Sequence, residues 1–517
     1  MANKSLFATY AGKLLPRATA KNREGAKAYK LEARHQIAQL AMTGTLSRTF
    51  YADAHAQLAD VMALAEKVSP EFLAKAAIYA RKRGHMKDMP ALMLAVLSRR
   101  DPAFFALAFP RVVDNGRMLR TFVQVMRSGA TGRKSLGSRP KSEIQGWLNS
   151  ASDQALMRAA VGSSPSLADI VKMVHPKPAS PERRALYAWL VGKPYDVAML
   201  PAPARSFEAF KRDRMNPVPD VPFQMLTALE LTPEHWVEIA KRAGWQMLRM
   251  NLNTFDRQCA FAIDGFAEMV AARLKDPAEI AKARVLPYQL MMAYKAASKD
   301  VPHQVREALQ DAMEVSLANV PAVSGNVVIC PDVSGSMSSP VTGVRKGATS
   351  AVRCIDVAAL FAAAMLRQKP AAKVLPFEND VVNVALNPRD SVMTNAAKLA
   401  SVGGGGTNCS APLQVLNKAH AKVDLVVFVS DNQSWMDARH PDRTGMMTEW
   451  TKLKRKNHGA KLVCIDIQPY GTTQAPERDD ILNVGGFSDA VFEIVADFAR
   501  GSLGPEHWMD EIEKVAL

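Results

Sequence analysis

The spacing of apolar residues changes once along the chain, near residue 322. Before that point, apolar side chains recur at i, i+3, i+4 and i+7, a spacing that places them on one face of an α-helix. After it, short apolar runs typical of buried strands alternate with helical segments, which favours a parallel sheet covered on both faces. The 517 residues are therefore predicted to form an all-α part followed by one doubly wound α/β domain.

The all-α part begins with a series of regularly spaced helices. Helices are predicted over residues 29–42, 53–68, 70–83, 90–100 and 102–113. A capping residue precedes a helix-starting proline at Ser69–Pro70, Asp101–Pro102, Ser180–Pro181 and Thr232–Pro233. Because helix pairs recur every 30–40 residues or so, we expect them to stack as a solenoid of helical hairpins.

The α/β part alternates strands and helices. Strands are predicted over residues 325–330, 372–377, 425–430 and 461–468, and helices over 354–367, 391–400, 411–421, 445–456 and 489–500. In a doubly wound sheet the ligand site lies at the carboxyl ends of the strands. We therefore look for functional residues directly after these strands.

The positive charge of the chain is concentrated at one end. The formal net charge is +16, and residues 1–200 carry 31 Lys and Arg against 14 Asp and Glu. Residues 201–320 carry 15 of each, and residues 321–517 carry 20 against 21. A basic region beside neutral ones indicates a polyanionic partner, with nucleic acid favoured and an acidic protein as the main alternative.

Cysteine usage and hydropathy indicate the compartment. The five cysteines form no CxxC pair and lie mostly in apolar runs, which favours reduced, buried thiols over a disulfide framework. We find no stretch of about 18 apolar residues that predicts a membrane span. The basic residues 1–28, predicted to be a flexible segment, lack the apolar core of a secretory signal. We therefore expect a cytoplasmic protein.

Hydroxyl and carboxylate side chains follow the predicted strands of the α/β part. Asp332, Ser334 and Ser336 come after the first strand, Thr407 follows a run of four glycines, and Asp431 comes directly after the 425–430 strand. These hard oxygen ligands suit Mg²⁺ or another divalent cation. The alternative is a loop held by hydrogen bonds of Asp332 and the serine hydroxyls, without a metal.

A cationic, glycine- and serine-rich segment lies in the basic part of the chain. Its basic residues are Arg127, Arg133, Lys134, Arg139 and Lys141. A second polar turn carries His175 and Lys177. Backbone N–H groups and cationic side chains of such segments bind phosphate well, so we predict RNA contacts here.

These motifs resemble two known families. Asp332, Ser334, Ser336, Thr407 and Asp431 match the five positions of the metal-ion-dependent adhesion site (MIDAS) of von Willebrand factor A (vWA) domains. The segments 84–92, 127–147, 175–178 and 249–255 are similar to the Ro autoantigen family, whose members carry a TROVE domain. The similarity extends from about residue 20 to 510, and the residues of these motifs are most similar to those of bacterial Ro proteins.

The resemblance implies a TROVE domain over residues 29–321 and a vWA-like domain over 322–517. It implies that HEAT-like helical repeats form a ring closed by the vWA-like domain. Y RNA is then expected on a basic outer surface, and the 3′ ends of misfolded RNAs in the ring. Within this surface, Lys141 and His175 stand where the family has a basic residue and a histidine.

The preferred hypothesis is a monomeric, non-enzymatic RNA-binding scaffold in RNA quality control or decay. By family resemblance it takes structured non-coding RNA and Y RNA, with an exoribonuclease such as polynucleotide phosphorylase as partner. The alternative is a metal-dependent adaptor that binds proteins through the vWA-like domain. A Mg²⁺ nuclease is disfavoured, because the motif shows neither a second metal nor a positioned base.

Overall fold

A computed structural model describes most of the chain. The described residues are 17–43, 54–84, 86–132, 134–283, 285, 287–341, 352–436, 443–486, 491–501 and 507–517. Arg133, one of the predicted RNA contacts, lies outside them. None of the helices in these ranges is both long enough and apolar enough to cross a membrane.

Helices make up most of the described chain between residues 33 and 316. They are α1 (Ala33–Thr43), α2 (Ala54–Lys67), α3 (Pro70–Lys82), α4 (Asp88–Arg100), α5 (Pro102–Val112), α6 (Gly116–Ser128), α7 (Ser138–Ser150), α8 (Asp153–Ala159), α9 (Leu167–Val174), α10 (Pro181–Val191), α11 (Ala202–Arg212), α12 (Phe223–Leu226), α13 (Pro233–Arg242), α14 (Trp245–Met250), α15 (Leu252–Arg257), α16 (Phe266–Leu274), α17 (Pro277–Ala283), α18 (Pro287–Ala296) and α19 (His303–Ser316). Consecutive helices pack on one another, as α3, α4 and α5 do through wholly buried apolar faces.

The helix starts that proline and capping residues predict are confirmed. The side chains of Ser69, Asp101 and Ser180 each accept a hydrogen bond from a backbone N–H in the first turn of α3, α5 and α10. Thr232 precedes α13, and its backbone N–H donates to His235 Nδ1 at 3.0 Å. Each cap satisfies N–H groups that have no partner inside the helix.

The α/β part is built on a parallel sheet of five strands. Its elements are β3 (Val327–Pro331), α20 (Cys354–Gln368), β4 (Lys373–Val374), α21 (Val392–Ala400), α22 (Ala411–Lys418), β5 (Leu425–Ser430), α23 (Gly445–Lys454), β6 (Lys461–Asp466), β7 (Thr472–Thr473), β8 (Ile481–Gly485), α24 (Val491–Arg500) and α25 (His507–Glu513). The strand order is β4-β3-β5-β6-β8. The central strands are buried along their length, as both faces of the sheet carry helices.

The predicted fold class is confirmed, because a helical part precedes an α/β part with a parallel sheet. Two expectations within it are wrong in detail. The strand predicted over residues 372–377 is regular only at Lys373–Val374. The sheet also includes β8, where Asn483 and Gly485 interrupt the apolar pattern and hide the strand in the sequence.

A short N-terminal hairpin replaces the start of the first predicted helix. Strands β1 (Ala20–Lys21) and β2 (Lys27–Lys30) pair antiparallel, and β2 pairs with β7. The helix predicted from residue 29 therefore begins only at Ala33. Tyr29 is 3% exposed and packs in the core cluster of the sheet. This tertiary packing favours an extended strand over the helix that the local sequence predicts.

The chain divides into two compact units by its contacts. One unit takes the described residues of 1–59, 280–296 and 310–511, and the other those of 60–279, 297–309 and 512–517. We call them the sheet unit and the helical unit. The domain limits predicted after residues 28 and 321 stay predictions, because this grouping follows contacts rather than limits along the chain.

Candidate functional site

The five residues of the predicted metal site lie together at the carboxyl edge of the sheet. Asp332 follows β3, Asp431 follows β5, and Thr407 precedes α22. With Ser334 and Ser336 they are all buried, and Ser336 is the most exposed of the five at 8%. Parallel strands bring these distant segments to one edge, as the sequence predicts.

The three hydroxyl groups of the site form a chain of contacts with Ser334 in the middle. Thr407 Oγ1 donates a hydrogen bond of 3.1 Å to Ser334 Oγ, which lies 3.3 Å from Ser336 Oγ. The backbone N–H of Ser334 donates to Asp332 Oδ1 at 2.8 Å. The Asp332 loop thereby turns its alternate side chains toward Thr407.

The two carboxylates of the site are buried close enough to affect each other. Burial and then the charge of Asp431 raise the pKa of Asp332 to about 7. Burial also raises the pKa of Asp431. Ser430 Oγ donates to Asp332 Oδ2 at 2.6 Å and only partly offsets this effect. A divalent cation between them would favour the ionised form of both.

A glycine loop joins Thr407 to the Asp332 loop. Gly404 N donates to Val333 O at 2.8 Å, and Gly335 N donates to Gly405 O at 2.9 Å. Gly403 has a φ of +90°, and a Cβ atom there would lie 2.1 Å from Val333 O. Only glycine fits this approach of two backbones, so the loop holds Thr407 in place.

Two further segments support the site, and the sequence analysis missed both. Glu378 Oε2 accepts from Gly405 N at 2.7 Å, and Asn379 Oδ1 accepts from Gly406 N at 2.9 Å. Their place just beyond β4, at the same sheet edge, is the signal that points to them. At the other side, Asn22 Nδ2 donates to Ser434 O at 2.7 Å.

The cationic segment of the helical unit is exposed. Arg127, Lys134, Arg139 and Lys141 all have solvent-accessible side chains. Arg127 is in the last turn of α6, whereas Arg139 and Lys141 lie in the first turn of α7. Arg139 also approaches Glu143, with 3.4 Å between Nε and Oε1. The segment therefore presents its cations to solvent near a helix N-terminus, where anions are favoured.

The turn after α9 lies against the same helix. His175 and Lys177 are exposed, and His175 caps α9 with a φ of 51° in the left-handed region. Gln145 Nε2, one turn beyond Lys141 on α7, donates to Val174 O at 2.5 Å. The structure thus brings Lys141 and His175 to neighbouring positions, although they are distant in sequence.

Comparisons with known proteins bear on the family resemblance of the chain. A family model described as the Ro60 vWA domain matches residues 326–499. The RNA-binding protein RO60 of Deinococcus radiodurans is 24% identical over 93% of this chain and 96% of its own length. The resemblance to the Ro family is confirmed. The matched Ro60 vWA segment contains all five residues of the candidate metal site.

Two further comparisons bear on the Ro family resemblance. The RNA-binding protein RO60 of Caenorhabditis elegans is 24% identical over 45% of this chain and 37% of its own length. The crystal structure of the Deinococcus radiodurans RO (RSR) protein matches with a TM-score of 0.64 and 21% identity, and covers 91% of this chain and all of that one. At this identity the structural likeness supports a shared fold.

The donor set of the candidate metal site fits a hard divalent cation. Three hydroxyls and two carboxylates supply only oxygen ligands. Beside Asp431, both side-chain polar atoms of Asn432 are buried without a hydrogen-bond partner in the described structure. No group of three or more His, Cys, Asp or Glu arranged for a metal occurs among the described residues. The site is therefore of a hydroxyl-rich kind, and its cation stays a prediction.

Proposed function

We propose that this protein is a non-enzymatic RNA-binding scaffold that acts in RNA quality control or decay. In this proposal Y RNA binds the basic surface around α7, and 3′ ends of misfolded or structured non-coding RNA enter a ring of helices. The observation that carries it is the exposed cationic surface at Lys134, Lys141, His175 and Lys177. Two relatives are named RNA-binding proteins, which also supports a function in RNA binding.

The chemistry of this surface suits recognition of RNA shape and phosphate. The deep groove of A-form RNA hides the base edges, so a helical RNA is bound through its backbone. Lysine and arginine side chains that neutralise phosphates release counterions, which makes the affinity strongly dependent on salt. A single-stranded 3′ end is in turn suited to a cationic channel.

The test is binding of a structured RNA, with and without a single-stranded 3′ tail, at a series of salt concentrations. We expect tail-dependent binding whose affinity falls with salt. Lys134→Gln/Lys141→Gln should lower the slope of log K against log salt by roughly 1.8, from about 0.9 per lost contact with a duplex. Lys193→Gln/Lys241→Gln, which changes two exposed lysines elsewhere in the helical unit, is the control. Absence of both tail and salt dependence would overturn the proposal.

A second candidate function, a metal-dependent protein-binding adaptor, is favoured by the buried MIDAS-like site. We propose that Mg²⁺ or another divalent cation is held by the five residues and binds a carboxylate of a protein partner. An exoribonuclease of the polynucleotide phosphorylase type belongs to the first function, in which it would be tethered through Y RNA. Pull-downs with and without nuclease and chelator separate the two functions. Partner capture that survives nuclease and is lost in chelator supports the adaptor.

The proposal of a non-enzymatic protein has its own test. The site offers two carboxylates and hydroxyls, and a metal-dependent nuclease needs a second metal or a base for the attacking water. We expect end-labelled RNA to stay intact with the protein and Mg²⁺. Cleavage that Asp332→Ala abolishes would show a nuclease instead.

A further inference from the structure

Two lysines lie directly opposite each other in the N-terminal hairpin, which comprises β1, β2 and the turn between them. Lys21 and Lys27 are Cα partners in the antiparallel register. Side chains of opposite residues lie on the same face of a two-stranded ribbon, with Cβ atoms about 5 Å apart. The two ammonium groups therefore share one side of the hairpin.

This pairing costs stability in the protein alone. Like charges directly opposite in a sheet repel, whereas opposite charges attract. Neither Lys21 nor Lys27 takes part in an ion pair with any residue that the structure describes. Arg17 and Lys30 are also exposed nearby, and Glu24 is the one acidic residue in the sequence from 17 to 30. The hairpin is thus a cationic element in which Glu24 offsets only one of the positive charges.

The hairpin is fixed to the sheet unit rather than extended from it. Tyr29 and Lys30 pair with Thr473 and Thr472 of β7. At the turn, Asn22 donates to Ser434 O, and Arg23 N donates to Gln433 Oε1 at 2.9 Å. Since Ser434 Oγ in turn donates to Thr407 O at 3.2 Å, the turn of the hairpin is held close to the loop that carries Thr407.

We propose that the N-terminal hairpin is a second phosphate-binding element, through which RNA contacts the sheet unit as well as the helical unit. This inference rests on the proposed RNA-binding function. A phosphate between Lys21 and Lys27 replaces one repulsion by two attractions. The ammonium groups are compact point charges that bind phosphate without requiring a planar partner. RNA contact is therefore not confined to the helical unit.

The test compares Lys21→Gln/Lys27→Gln with Lys418→Gln/Lys422→Gln. The control pair consists of exposed lysines at the end of α22 and just before β5, at the opposite edge of the sheet. The probe is a synthetic RNA hairpin with a single-stranded oligouridine 3′ tail, measured by fluorescence anisotropy over a salt series. Loss of two contacts should lower the salt slope by about 1.4 and weaken binding roughly 25-fold at 0.1 M salt. The control should bind as the wild type does.

Two additional measurements make the outcome decisive. The unfolding temperature of the RNA-free glutamine variant should equal or exceed that of the wild type, because a repulsion is removed. Lys21→Arg/Lys27→Arg should retain binding, since both charges remain. If the wild type binds RNA with a salt slope but the glutamine variant matches it, this inference fails while the proposed function stands. If the wild type binds no RNA, the proposed function fails and this inference with it. Equal binding of polyglutamate would indicate an acidic protein ligand and overturn the choice of RNA.

Discussion

Replacing Asp332 with asparagine should have opposite effects on stability without and with a divalent cation. In the folded protein the pKa of Asp332 lies near 7, against 3.8 for an ordinary aspartate. The folded state therefore binds this proton more tightly than the unfolded state. The free energy of unfolding must then fall as the pH rises from about 4 to about 7, and stay lowered above that range.

The magnitude follows from the difference between the two pKa values. At 1.36 kcal/mol for each pH unit, the ionised Asp332 carboxylate costs an upper limit of roughly 4 kcal/mol at pH 8. Asparagine avoids this cost and keeps an acceptor for the N–H of Ser334, which now donates to Asp332 Oδ1. A bound cation reverses the sign once its concentration exceeds about 1,000 times its Kd, because it then adds more than about 4.1 kcal/mol to the wild type alone.

The assay is thermal unfolding at pH 8 in EDTA and in Mg²⁺. In EDTA we expect Asp332→Asn to unfold at a higher temperature than the wild type, by up to about 8 °C. In Mg²⁺ only the wild type should gain. Asp479→Asn, which removes an exposed carboxylate of the sheet unit, should unfold at the wild-type temperature both in EDTA and in Mg²⁺. A lower unfolding temperature of Asp332→Asn in EDTA would refute the electrostatic reasoning, and equal gains in Mg²⁺ would refute the metal site.

Three further changes test how the two candidate sites are positioned. Asn22→Ala removes the hydrogen bond to Ser434 O and should weaken Mg²⁺ binding severalfold in calorimetry, whereas Thr19→Val alters the hairpin away from that contact and should not. Gly403→Ala should abolish Mg²⁺ binding and lower the unfolding temperature, because its Cβ would lie 2.1 Å from Val333 O. Gly404→Ala has no atom within 4 Å of its Cβ, so it should reduce Mg²⁺ binding and the unfolding temperature by less. His175→Gly keeps the left-handed backbone conformation that caps α9, so we expect an unchanged unfolding temperature and weaker RNA binding. That result would show that the imidazole contributes to RNA binding and not to the cap.

The spacing of apolar residues predicted those strands whose own sequence is a continuous apolar run. Strands β5 and β6 are built on continuous apolar runs, residues 425–429 and 462–465, and their first residues, Leu425 and Lys461, were predicted correctly. Strand β8 carries Asn483 in its middle, a residue depleted in strands, and was missed. The Nδ2 of that asparagine donates to Ala475 O at 3.1 Å, a contact that no local pattern reveals.

The candidate metal site was predictable for a similar reason. Asp332 and Asp431 each follow an apolar strand, and parallel strands end at one edge. The supporting groups, Glu378 and Asn22, act through backbone atoms of other loops. Their contribution depends on which loops meet in space, so a single sequence places them near the site only when the topology is already known.

The charge asymmetry changes its meaning once the two units are distinguished. The excess of cations in residues 1–200 favoured one basic surface on the helical part. However, the described residues before position 60 belong to the sheet unit, and they include the opposed Lys21 and Lys27. The repulsion between these two lysines lowers the stability of a hairpin that is otherwise anchored by the buried Tyr29. The cost is readily understood if a polyanion occupies the pair, so the salt slope of the hairpin variant decides whether the sheet unit takes part in RNA binding.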